Sequence, residues 1–255
     1  MILKHKRMGE GRPLIILHGL FGMLDNWQAL ANRFSENFEV ILVDQRNHGR
    51  SPHHAVHTYE AMSDDLEELI HELDLDDPIL LGHSMGGKTV MMFGQRFPEI
   101  SSKIIVADIA PRAYEIHHDL IVKGFKSVPV GDLKKRTDAA PFMREYIGEE
   151  GVVQFLMKSL YWKEPKNLQF RFNLEALSAS LPEIGEAIYR GPYNGSVLFI
   201  DGEKSNYVSQ EDREDIALYF PNASFKTIPN AGHWLHAEQP ELFYQAIMEF
   251  AGDKD

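Results

Sequence analysis

The sequence predicts an α/β fold: a mostly parallel central sheet with helices on both faces and an inserted helical cap. Three observations predict it. Short, almost wholly apolar runs recur at Leu14–Leu17, Val40–Val43, Ile79–Leu81, Ile104–Ala107 and Val197–Ile200, as expected of parallel strands buried on both faces. Helical patterns separate most of these runs, which is how successive parallel strands are connected. The alternation then breaks between about Arg112 and Arg190, where large apolar residues continue without strand-like spacing.

In chain order, Leu14–Leu17 runs into His18-Gly19-Leu20-Phe21-Gly22, whose glycines suit a tight turn at a strand end. Trp27, Leu30, Ala31 and Phe34 then fall on one helical stripe. Val40–Val43 ends at Asp44, and Met62, Leu66, Leu69, Ile70 and Leu73 form a second stripe. Pro78–Gly82 leads as an apolar run into Ser84 and helix-compatible residues, and Ile104–Ala107 ends at Asp108. Pro129, Gly131, Pro141, Gly148, Gly151, Pro165 and Pro182 cut the next stretch into several short helices, rich in groups such as Phe125, Phe142, Tyr161 and Trp162. Strand-like sequence resumes at Val197 and again at Phe225–Ile228. The expected organisation is a core of residues 1–111 and 191–255 with a helical cap of residues 112–190.

Bulk properties narrow the function classes. A chain of 255 residues, 44% hydrophobic and 25% charged, can bury a sizeable core without covalent staples. Cysteine is absent, which excludes a disulfide framework, a Cys-based metal site and a thiol nucleophile, and fits a reducing, cytoplasmic location. The basic start Met1–Arg7 has no apolar stretch behind it, so no signal peptide is expected, and no run approaches the ~18 apolar residues of a membrane span. A net charge of −12 argues against nucleic acid as partner. The acidic clusters at Asp64–Glu72 and Asp74–Asp77 read as a solvated helix face.

Gly82-His83-Ser84-Met85-Gly86 carries the chemistry. G-x-S-x-G between a strand and a helix is a nucleophile elbow, a sharp strained turn that projects the serine hydroxyl from the sheet edge. Ser84 needs a base, which in this chain order comes last. Of twelve histidines, only His233 and His236 follow the last strand-like run. His233, in Asn230-Ala231-Gly232-His233-Trp234, sits on a loop able to swing over the elbow; His236 lies three residues on and points elsewhere. The oxyanion donors expected are the amides of Met85 and of Leu20, with Phe21 as the alternative to Leu20. His18 reads as a structural hydrogen-bonding residue.

The acid departs from the simplest template. After Val197–Ile200 the expected carboxylate position, Ser205 or Asn206, is neutral, while Asp201 and Glu203 come too early. Asp108, at the end of Ile104–Ala107, lies on the same rim of a parallel sheet and is the acid expected, with Glu203 as runner-up. Asp44 and Arg46 read as a structural ion pair beneath the elbow. His53, His54 and His57 read as surface histidines, since no carboxylate stands in register with them, and no metal is expected.

On these residues the chain resembles the α/β-hydrolases of the small esterase group that includes bacterial YbfF-type and mammalian ABHD-eleven-type enzymes. The resemblance rests on His18–Gly22 with Asp25-Asn26, on Asp44 with Arg46-Asn47-His48-Gly49 and Ser51, and on Gly82–Lys88. It continues through Val106–Pro111, Glu149–Val152 with Gln154–Leu156, and Ala231–Trp234 with His236–Glu238. The resemblance implies the same acid placement, one strand after the nucleophile, and hydrolysis of short- to medium-chain acyl esters or acyl thioesters. A small-molecule substrate and no cofactor are expected, so full activity should survive EDTA. A C–C bond hydrolase, an acyltransferase and a noncatalytic ligand receptor are the rival readings of the same fold.

Overall fold

Seven strands form the central sheet of the computed structural model, which describes residues 1–115, 118–164 and 167–252. In chain order the strands are β1 (His5–Met8), β2 (Pro13–Leu17), β3 (Glu39–Val43), β4 (Ile79–His83), β5 (Lys103–Ala107), β6 (Leu160–Glu164), β7 (Asn167–Phe170), β8 (Ser196–Gly202) and β9 (Ala223–Ile228). The sheet order is β1-β3-β2-β4-β5-β8-β9. Among the described strands of this sheet, only β1 runs antiparallel to its neighbour. β4 and β5 are buried at every residue, as double-sided cover demands. The sequence reading missed β1 because His5-Lys6-Arg7-Met8 is a polar edge strand with no apolar run.

The helices are α1 (Gln28–Phe34), α2 (Tyr59–Glu72), α3 (Met85–Arg96), α4 (Asp119–Ser127), α5 (Ala140–Arg144), α6 (Glu150–Met157), α7 (Leu174–Ala179), α8 (Leu181–Gly185), α9 (Gln210–Tyr219), α10 (Leu235–Glu238) and α11 (Pro240–Gly252). Alternation along each strand sends Ile15, Leu17, Leu80 and Val106 to one face, where Met62, Leu66 and Leu69 of α2 and Val90 and Phe93 of α3 cover them. Leu14, Ile16, Leu81 and Ile105 go to the other face, under Leu30 and Phe34 of α1 and Phe243 and Ile247 of α11. Each such side chain contributes about 1.5–3 kcal/mol on burial. None of the helices among the described residues is long and apolar enough to cross a membrane.

Between β5 and β8 a third apolar cluster forms around Phe125, Met143, Val153, Leu156, Leu168 and Leu177, and it includes Phe21 from the turn after β2. This stretch is not purely helical: β6 and β7 pair antiparallel within it. Segments this short carry too few residues for a strand period to show in sequence. Pro165, read as one of the breaks, lies outside the described residues.

Candidate active site

The strand order reverses between β2 and β4: the chain leaves β2 for β3 on one side and β4 for β5 on the other. Loops diverging from the carboxyl ends of such a pair open a crevice. The turn after β2 and the elbow after β4 flank it.

Ser84 caps the amino end of α3 at φ +52°, ψ −117°. A non-glycine residue held there costs on the order of 1–3 kcal/mol, so its neighbours must enforce it. The Ser84 amide donates to the Ala107 carbonyl at 3.0 Å and its carbonyl accepts from Lys88 N at 3.1 Å. Two glycines make the crossing possible. A Cβ on Gly82 would stand 2.1 Å from the Gly86 carbonyl oxygen, and one on Gly86 would stand 2.5 Å from that of Leu17.

His233, on the loop after β9, places Nε2 3.1 Å from Ser84 Oγ and Nδ1 2.7 Å from Asp108 Oδ2. A carboxylate only accepts, so the ring proton sits on Nδ1 and the Nε2 lone pair faces the serine hydroxyl. Asp108 is fully buried at the end of β5, at φ +54°. Its amide donates to the Ile200 carbonyl at 2.8 Å, which extends the β5–β8 ladder and turns the side chain toward the imidazole. Asp108 Oδ1 accepts from Gly202 N at 3.1 Å, and Oδ2 also accepts from the Ser205 hydroxyl.

Ser205 is thus a site residue that the sequence reading passed over. It occupies the position found neutral in sequence, and there it donates to the acid from the neighbouring strand. His83 was missed as well: its Nε2–H donates to the His233 carbonyl at 2.8 Å and fixes the loop that carries the imidazole. Its place inside the elbow pentapeptide was the available signal. Tyr207 stacks on the His233 ring at 4.0 Å between centroids and 19° between planes; nothing in the sequence pointed to it.

The oxyanion candidates separate. Met85 opens α3, where first-turn amides have no intrahelical acceptor. Phe21 N donates to His48 Nε2 at 3.1 Å, so that amide is already engaged, whereas Leu20 lies partly buried between the core and the insertion. His48 in turn donates from Nδ1 to the Arg46 carbonyl at 2.9 Å. His18 is buried, donates from Nδ1 to the Gly19 carbonyl at 2.8 Å and accepts the Gln45 amide at 3.1 Å, a structural arrangement.

Several other expectations need correction. Arg46 does not pair with Asp44; it makes a two-pronged bond to the buried Asp65 of α2, at 2.6 and 2.8 Å. The acidic stretch is therefore not wholly a solvated face. Asp44 instead accepts from the amides of Leu24 and Arg50, at 2.8 and 2.9 Å. His57 is buried, not superficial, with Nε2 3.4 Å from Met85 Sδ, while His53 and His54 are exposed. No group of three or more His, Cys, Asp or Glu among the described residues converges as a metal site would. Glu203 is exposed and accepts from Asn230 N at 2.7 Å, so the runner-up acid braces the His233 loop rather than its ring. Asp201 is engaged by Arg213 and Thr227, at 3.0 and 2.9 Å.

His236 turns away from Ser84 and stacks on Trp27 at 4.2 Å, with Nδ1 buried and unpartnered. Burial pushes His236 down to about 3, and His57 likewise to about 3. Burial also holds His18, His48 and His83 below the ordinary value of 6.5. Such a ring takes up its proton only on unfolding, so the stability it contributes is whole above about pH 6.5 and is lost as the pH falls toward 3. His236→Phe keeps the stack and removes the proton site. Between pH 7 and pH 4 urea unfolding should show this variant losing less stability than the parent, by about 2–3 kcal/mol. Equal losses would refute the assignment.

A family model described as alpha/beta hydrolase fold matches residues 12–240. The chain is 38% identical to Esterase YbfF of Escherichia coli (strain K12), over 94% of this chain and 93% of that protein. It is 36% identical to the sn-1-specific diacylglycerol lipase ABHD11 of Danio rerio, over 95% of this chain and 79% of the lipase. Among solved structures, one described as a marine microorganism esterase superposes with a TM-score of 0.94 at 40% identity, covering 98% of this chain and 99% of the other.

Proposed function

This chain belongs to the α/β-hydrolase family, and on that premise we propose that it is a serine esterase working through an acyl-enzyme intermediate. The observation that carries the reading is the continuous hydrogen-bonded line from Ser84 Oγ through His233 to the buried Asp108, starting from a strained elbow. Relatives named esterase and lipase support an ester as substrate.

In this reading Ser84 Oγ attacks the acyl carbonyl while His233 Nε2 accepts its proton. Asp108 stabilises the imidazolium that results, and the amides of Met85 and Leu20 bind the oxyanion, a contribution of roughly 3–4 kcal/mol per donor. Leu20 is chosen over Phe21 because His48 holds the Phe21 amide. The imidazolium returns its proton to the leaving alcohol or thiol. Water, deprotonated by His233, then attacks the acyl-serine and releases the acid. Residues 112–190 act as a cap. Their apolar cluster, continuous with Phe21 and Leu20, supports short- to medium-chain acyl groups, in esters or thioesters.

Mixing the protein with p-nitrophenyl acetate should release a burst of about one p-nitrophenol per chain before the steady state. A fluorophosphonate should label the peptide containing Ser84. Absence of both burst and label would overturn the reading, and a label on another serine would overturn the choice of nucleophile.

A further inference from the structure

The insertion joins the core through a neck of two segments, residues 110–114 going out and 184–188 returning. They hydrogen-bond to each other, Tyr114 N to the Gly185 carbonyl and Ile188 N to the Pro111 carbonyl, both at 2.8 Å. The core grips the returning segment from below. The Tyr59 hydroxyl donates to the Ile184 carbonyl at 2.8 Å, and Lys88 Nζ, one helical turn after Ser84, donates to the Glu186 carbonyl at 2.5 Å. On the outgoing segment the Arg112 guanidinium lies 4.0 Å from the Tyr114 ring centre and is held by Asp212 at 2.8 Å. Lys88 Nζ stands 4.9 Å from the centre of the same ring. The Arg112 guanidinium, the Lys88 amine and a closed pair of backbone bonds thereby hold Tyr114 in one place.

What Tyr114 does from that place reaches the candidate site. Its hydroxyl accepts the Ala110 amide at 2.8 Å and donates to the Tyr207 carbonyl at 2.5 Å. The Tyr207 amide, on its other side, donates to Ser205 Oγ at 3.2 Å. Tyr207 is therefore pinned at both ends, and its ring lies on the His233 imidazole. The other rings beside His233 do not lie flat on it: His83 is inclined by 43° and Trp234 by 69°.

A flat partner matters because the bonds from His233 to Asp108 and Ser84 restrain the ring only at two edge atoms, while contact across its face adds resistance to rocking about the soft torsion that joins it to Cβ. We propose, building on the serine-hydrolase reading above, that Tyr114 is a positioning residue: from the neck of the insertion it holds Tyr207 against His233 and so sets the plane in which the imidazole meets Ser84. The cap is then tied to the base through two tyrosines, in addition to covering the site.

Tyr114→Phe keeps the ring between Arg112 and Lys88 and removes the hydroxyl. Because the face of Tyr207 shields the imidazole, the His233 Cε1–H resonance should move downfield in this variant. kcat for a p-nitrophenyl ester should fall about 10- to 100-fold, with KM within about twofold. Tyr207→Leu should do the same, Tyr207→Phe should restore both signals, and Tyr114→Phe with Tyr207→Leu should be no slower than the slower single variant. If Tyr114→Phe fails to fold, the Tyr207 pair carries the test. A Tyr114→Phe protein with the resonance unmoved, or with only KM or thermal stability changed, overturns the proposal. Failure of the underlying reading is seen separately, as wild-type turnover by Ser84→Ala, and would remove the proposal with it.

Discussion

Ser84→Ala should lower kcat for p-nitrophenyl acetate by about 10⁶-fold, the scale of loss when a triad serine is removed. Alanine deletes the oxygen proposed as nucleophile and little else. The backbone bonds that hold the elbow, from Ser84 N to Ala107 and from Lys88 N to Ser84 O, do not involve the side chain. The thermal midpoint should therefore stay within a few degrees of the parent. A residual rate above that of water should persist if, as proposed, the Leu20 and Met85 amides bind the oxyanion. Retained fluorophosphonate labelling in this variant would show that another residue is the nucleophile.

Asp108→Asn should lower kcat by about 10⁴-fold with a modest change in KM. The physical reason lies in the ring proton. Asp108 Oδ2 accepts from His233 Nδ1 at 2.7 Å, whereas an amide nitrogen at that position would donate. The imidazole would then place its proton on Nε2, facing Ser84 Oγ, and could no longer accept the hydroxyl proton. The Gly202 amide, 3.1 Å from Oδ1, would still find an acceptor in the amide oxygen, so the fold should survive. Glu203→Gln is the contrasting case: that side chain accepts from Asn230 N and stays outside the imidazole line, so kcat should change by less than about twofold. Steady-state kinetics on both variants decides the matter. A severe loss in Glu203→Gln together with a mild one in Asp108→Asn would move the acid to Glu203.

Most of the fold was legible because its signals are local. Leu14–Leu17, Ile79–Leu81 and Ile104–Ala107 each read as buried strands from their own composition, and each lies within a fully paired strand. The stripes on α1 and α2 were legible for the same reason. β1 and the β6–β7 pair were not, since a four-residue polar edge and two short strands create no period of their own. Arg46 was assigned the wrong partner because Asp44 is near in sequence, while Asp65 is near only once α2 packs on the sheet.

The candidate site divides along the same line. By itself the sequence determined which residues are the candidates for the chemistry: a serine in an elbow, a histidine on the last loop, and an acidic residue at the end of the next strand. Each sits at the end of an apolar run, and parallel strands bring such ends to one rim. Only the tertiary structure decided how those residues are held. Asp108 faces the imidazole because its backbone adopts φ +54°. Ser205 fills the vacant acid position with a donor, His48 takes the Phe21 amide out of contention, and Tyr207 lies flat on the base. These contacts join residues 26 to 125 positions apart, and beyond the reach of one helix or strand no local pattern records which side chains will meet.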